Sequence, residues 1–266
     1  MPHGESWFSL LPFHHRFEAW AQIFSKPFRD DGLTWYAHEH PGVQHIYAGL
    51  FVLLLIAIVA VMTETSINDS KHDLVPSGKL TIRNFVEILV GACYKMMTDI
   101  MGEKAARYFL PLVGTCAFFI LFSNALGLVP GFLPSTSNFN TTLACGLVIF
   151  VSTHIYGLKA NGGGHIKHLF GPWLGPFGLP LNILMFFIEL VSHIARPISL
   201  GIRLMANMTA DHMVLTIFLG LVPFLVPLPM YILGTVVVIV QALVFSLLST
   251  VYIGMAIENA HGDEHH

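Results

Sequence analysis

LPLNILMFFIELVSHIARPISLGIRLMANMTADHMVLTIFLGL, residues 179–221, is an apolar run broken by formal charge at only Glu189, Arg196, Arg203 and Asp211. As one α-helix it would be about 64 Å long, about twice a hydrocarbon core of roughly 30 Å. Such a segment must tilt strongly or bend near Pro197. Counted from Glu189, the polar residues His193, Arg196, Arg203, Asn207 and Asp211 follow at offsets of 4, 7, 14, 18 and 22. At about 100° per residue, all fall within about 40° of one direction, so one face of an otherwise apolar helix carries a single ionisable line.

The remainder of the chain fits the same setting. Of 266 residues, 54% are hydrophobic and 11% charged, and mean hydropathy is +0.67. Soluble domains carry charge on about a quarter of their residues, so this chain cannot cover a water-facing surface. A net charge of −3 leaves no basic footprint for nucleic acid. Of the 13 Lys and Arg residues, none lies beyond Arg203. Between Tyr108 and Ile257 the only charged residues are Lys159, Lys167, Glu189, Arg196, Arg203 and Asp211.

Four further crossings are expected around the quoted segment: 41–63, about 108–128, about 141–158 and about 229–257. Between the second and third, GLVPGFLPSTSNFNTT supplies the prolines, glycines and turn-forming polar residues of a hairpin, with the break set at Asn124–Thr142. Residues 79–104 alternate apolar positions with Arg83, Glu87, Lys95 and Asp99 at helical spacing, which predicts an amphipathic helix at the interface. The expected fold class is thus all-α integral membrane, with about five crossings, one interfacial helix, and the last two helices long and strongly tilted. Residues 1–40 form an extramembrane segment, 41–260 the membrane domain, and 261–266 a short tail rich in His and acid. The 64–107 segment carries six Lys or Arg, 159–178 two and 129–140 none, so the first two are assigned to the cytoplasm and the hairpin to the outside.

Cys93, Cys116 and Cys145 lie in apolar or amphipathic runs and read as buried hydrophobes, not as a disulfide frame or metal site. No signal or transit peptide is recognised at the start, which favours insertion by the chain's own helices.

Arg203 carries the most chemical information, because a cation within an apolar segment costs at least a few kcal/mol to insert. Arginine keeps its proton in proteins and so cannot relay one. It can hold a carboxylate ionised and repel a passing proton. A fixed cation beside a water path is therefore both a barrier and a deprotonation station. Its carboxylate could be Glu189, Asp211 or a group on another subunit; geometry alone does not choose.

RPISLGIRLMANMTADH (196–212) closely resembles the signature of subunit a of the F-type ATP synthase, as do VPSGKLTIRNFVEILVGACYKMM, FSNALGLVPGFLPSTSNFNTTLACGL, LPLNILMFFIELVSHIARP and VVVIVQALVFSLLSTVYIGMAIENAH, in that family's order. The resemblance covers about residues 45–260. It implies a stator subunit of a rotary proton motor, with no catalysis of its own and no cofactor or metal. Its partners would be a ring of c subunits, the b-subunit peripheral stalk, other ATP synthase subunits and the lipid bilayer, in a bacterial inner membrane in preference to an organelle. Two half-channels would meet at Arg203, which matches the family's arginine that engages the ring carboxylate. Glu189 matches an acidic position of proton access, Asn207 the polar residue one turn after the arginine, and Gln241 a glutamine near it. Asn124 matches a hairpin asparagine and also suits a helix end. Two departures stand out. Asp211–His212 replaces a small residue followed by Glu or His, and Gly234 stands where many members carry His or Glu. The entry relay is then assigned to Asp211 and His212 with Glu189, and His193 and Arg196 complete the set.

Two other readings compete. A bis-histidine haem protein would need facing histidines; only His154, His193 and His212 are deep enough, and no facing pair is evident. His154 is assigned to packing or hydration. A self-contained secondary transporter would use Glu189–Arg203 as an internal ion pair, yet no inverted repeat is visible.

Overall fold

The computed structural model describes residues 44–69, 81–129, 131–161, 179–221 and 227–258, together with Ala19. The expectations for 1–40 (Ala19 apart), for 261–266 and for the loop charges Lys71, Lys79 and Lys167 lie outside the described residues. Six helices follow in order: α1 Gln44–Asp69, α2 Ile82–Met101, α3 Glu103–Gly127, α4 Phe139–Asn161, α5 Leu179–Leu221 and α6 Pro227–Glu258. A 3-10 turn, Ser135–Ser137, lies between α3 and α4. All but α2 contain a stretch long and apolar enough to cross a membrane. The protein is thus of the all-α membrane class, as expected.

The amphipathic α2 departs from that pattern because its charges keep helical spacing: the Arg83 Nε–H donates to Glu87 Oε1 at 2.9 Å one turn on. Its apolar side packs Met97 with Ala106, Phe109 and Val113 of α3 and Ile253 of α6. A single residue, Gly102, joins α2 to α3. Its φ of 80° is left-handed, a conformation that glycine adopts without a Cβ penalty.

A second core unites Ile120 of α3, Ile149 of α4, Leu200, Leu204 and Met208 of α5, and Ala242 and Phe245 of α6. Elsewhere the apolar surface is turned outward, as on α1, where Leu50, Leu54 and Val61 are each more than half exposed. This is the arrangement expected of helices whose solvent is lipid.

The seam between α4 and α5 is unusually close. A Cβ on Gly146 would lie 2.9 Å from the Pro197 carbonyl oxygen, and one on Gly201 would lie 3.2 Å from the Leu143 backbone. Small residues let membrane helices approach in this way. Gly146→Val should therefore destabilise the bundle by about 1–3 kcal/mol through overpacking against backbone that cannot rotate aside. A lowered thermal midpoint of the purified subunit in detergent is the measurement.

The second crossing, expected to end at about 128, ends at Gly127, inside the Asn124–Thr142 stretch assigned to the break. Asn124 does not end the helix. It is fully buried, and its Oδ1 accepts a hydrogen bond of 2.5 Å from Thr136 Oγ1 in the hairpin. Gly127 makes room for the returning chain, since a Cβ there would stand 2.9 Å from the Pro134 ring. Thr136→Val should cost about 1–3 kcal/mol by leaving that oxygen unpaired. The double change with Asn124→Ala should cost clearly less than the two singles together, as a double-mutant cycle of thermal midpoints would report.

Candidate functional site

Helix α5 runs unbroken through Pro197. Proline has no N–H, so the His193 carbonyl four residues earlier loses its usual intrahelical donor. Leu200, Leu204, Met208 and Leu215 are buried, and the polar line runs along the flank of this stripe. It meets three different surroundings.

At the first, Glu189 Oε1 lies 3.2 Å from His193 Nε2, one turn away. The His193 ring meets that of His154 on α4, with centroids 5.2 Å apart and planes at 75°. Arg196 turns toward α6, where its guanidinium stands 5.5 Å from the centre of the Tyr252 ring, a cation–π contact.

At the second, Arg203 and Asn207 are exposed, one turn apart. Arg203 borders an open hollow lined by Val191, Ile194, Ile198 and Ile202, all apolar. Among the described residues it makes no ion pair or hydrogen bond. Gln241 is buried on α6 beside Ala242, which packs against Leu200, Leu204 and Met208. No hydrogen bond joins Gln241 to Arg203 among the described residues.

At the third, Asp211 reaches α6. A Cβ on Gly234 would lie 3.1 Å from Asp211 Oδ2 and 2.9 Å from Leu128 Cδ2. The carboxylate thus occupies the space that a side chain at position 234 would need. The neighbouring His212 ring hydrogen-bonds the backbone of Gly127 at the end of α3, while its Nδ1 is buried with no protein partner.

These placements bear on the competing readings. Glu189 pairs with His193, and an offset of fourteen residues puts it about 21 Å from Arg203 along the helix, so the two form no internal ion pair. The expectation that no histidines face each other is corrected: His154 and His193 do, because α4 and α5 approach closely at glycines. Their rings are in direct contact, which leaves no space for a porphyrin between them. No group of three or more His, Cys, Asp or Glu suited to a metal ion occurs among the described residues. Sequence reasoning missed the His154 contact and the Asp211–Gly234 fit. Each needs the relative placement of two helices, which one sequence does not carry.

Fold and site define an all-helical, multi-pass membrane protein that holds ionisable groups along one long helix. Residues 47–254 match the family model described as ATP synthase A chain. The chain is 46% identical over 213 residues to ATP synthase subunit a 3 of Pelobacter propionicus, covering 79% of this chain and 87% of that protein. It is likewise 46% identical to ATP synthase subunit a of Citrifermentans bemidjiense, covering 81% and 88%. Against ATP synthase subunit a of Sorangium cellulosum the identity is 42% over 243 residues, covering 90% and 91%. The chain belongs to the ATP synthase A chain family.

Proposed function

We propose that the protein is the proton-translocating stator subunit of an F-type ATP synthase in a bacterial inner membrane, and performs no covalent chemistry itself. Two half-channels meet at Arg203, which engages the ionised carboxylate of a rotating c-subunit ring and blocks direct passage of protons. The observation that carries this reading is the exposed guanidinium at the edge of an apolar hollow, uncompensated within the described residues. At membrane depth a cation needs a partner or water, and the open side of α5 leaves room for one from another subunit.

Asp211 and His212 serve one half-channel, with Asn207 and Gln241 near the arginine; Glu189, expected with them in the entry relay, stands 22 residues and so about 33 Å from Asp211 along α5, and it is assigned with His193 and Arg196 to the other. The ring, a b-subunit peripheral stalk and the remaining synthase subunits complete the assembly around residues 41–260. One charge crossing 100 mV releases about 2.3 kcal/mol, so several protons must be combined for each ATP, and the gate must not leak between them. Replacing Arg203 in the assembled enzyme tests the reading; retained proton-driven ATP synthesis would refute it.

A further inference from the structure

The Glu189–His193 pair continues into a third ionisable group on another helix. His154 lies on α4 one to two turns before Lys159, half-buried beside His193, with Arg196 and Tyr252 lining the same cleft. Its Nδ1 lies 3.0 Å from the Phe150 carbonyl oxygen. A carbonyl can only accept, so Nδ1 carries the hydrogen and the neutral ring keeps its lone pair on Nε2. The backbone therefore fixes the tautomer, leaving one nitrogen to take up a proton and give it back.

We infer that His154 is a proton-carrying residue, the third member of a Glu189–His193–His154 relay in the half-channel that opens at the Lys159 end of α4. This rests on the stator reading given above. The transfer balances without any co-reactant. A proton on the Glu189 carboxyl passes to His193 Nε2, 3.2 Å away, and makes that ring an imidazolium. His193 gives one proton to His154 Nε2 through a bridging water, the ring centroids being 5.2 Å apart, and is left as a neutral ring. His154 then releases a proton from Nε2 to water and returns to its starting tautomer, its Nδ1–H never leaving the Phe150 carbonyl. In ATP-driven pumping the steps run in reverse.

The groups facing the relay divide its tasks. Glu189 and Arg196 come from α5 and Tyr252 from α6. Arg196 is turned onto the Tyr252 ring and Glu189 is held by His193, so the charge beside the imidazoles is held in place.

The test uses the assembled synthase in inverted membrane vesicles, stripped of its catalytic head, with passive proton flux read by a pH-sensitive dye. His154→Ala should lower flux roughly tenfold or more, and millimolar imidazole should restore a substantial part by occupying the vacated space. His154→Phe fills that space with a ring that cannot titrate, so its flux should be equally low and unresponsive to imidazole. Wild-type flux in either variant overturns the inference. So does a low flux in His154→Ala that imidazole leaves unchanged, or failure of both His154→Phe and His154→Gln to assemble with the other subunits, because His154 would then be structural. Arg203→Ala in inverted vesicles that retain the catalytic head separates the two readings. If it still couples ATP hydrolysis to pumping, the stator reading fails; if it uncouples while the His154 variants conduct normally, only the relay fails.

Discussion

Replacing Arg203 by alanine in the assembled synthase should abolish ATP synthesis and ATP-driven pumping, by at least about a hundredfold, while leaving the complex intact. The side chain is exposed on α5 and packs into neither hydrophobic core, so its loss removes charge without opening a cavity. On the proposed stator reading, nothing then obliges the ring carboxylate to give up its proton as it passes, and nothing repels a proton crossing between half-channels. Synthesis should therefore vanish together with the appearance of passive leak. Arg203→Lys keeps a charge but loses the planar fork and the permanently bound proton, and should recover only a small part of activity. ATP-driven acidification of inverted vesicles and ATP synthesis at an imposed gradient measure both outcomes.

The second large effect is expected at position 234. Gly234→Val should depress proton flux about as strongly as Asp211→Asn, roughly tenfold to a hundredfold, although position 234 itself has nothing to titrate. Its first added carbon would lie 3.1 Å from Asp211 Oδ2 and 2.9 Å from Leu128, so the branched side chain must displace the carboxylate. If Asp211 stands in the proton path, moving it and neutralising it should be equivalent. Both variants, compared by flux after removal of the catalytic head, should retain normal subunit content. Undiminished flux in both would take Asp211 out of the path.

Much of the architecture could be read from residue type alone. Long apolar runs have few options besides crossing the bilayer, and the alternation of Arg83, Glu87, Lys95 and Asp99 with apolar neighbours sets α2 apart. Helix ends were legible to within a few residues, as at α3, expected to end at about 128 and ending at Gly127. Asn124 has the chemistry of a helix end, and only its burial against Thr136 shows that its oxygen is engaged by the hairpin. The ionisable line on α5 follows from spacing, because residues at offsets of 4, 7, 14, 18 and 22 must share a face. What each member meets does not follow from spacing. Arg196 turns to Tyr252, Asp211 sits over Gly234, and His154 joins from another helix. These are facts of crossing angle and approach distance, fixed by glycines whose importance lies in the neighbour they admit.

That close approach also bears on mechanics. A helix that takes sideways load from a moving partner is only as stiff as its bracing. At Gly146–Pro197 and Gly201–Leu143, α5 leans on α4 nearly backbone to backbone, just before the turn that carries Arg203. Contacts of that kind have no rotamers to yield, unlike a layer of leucines or methionines. If the chain is the stator proposed above, the arginine should hold its position under torque while the ring advances, so little of each step is lost as elastic deflection.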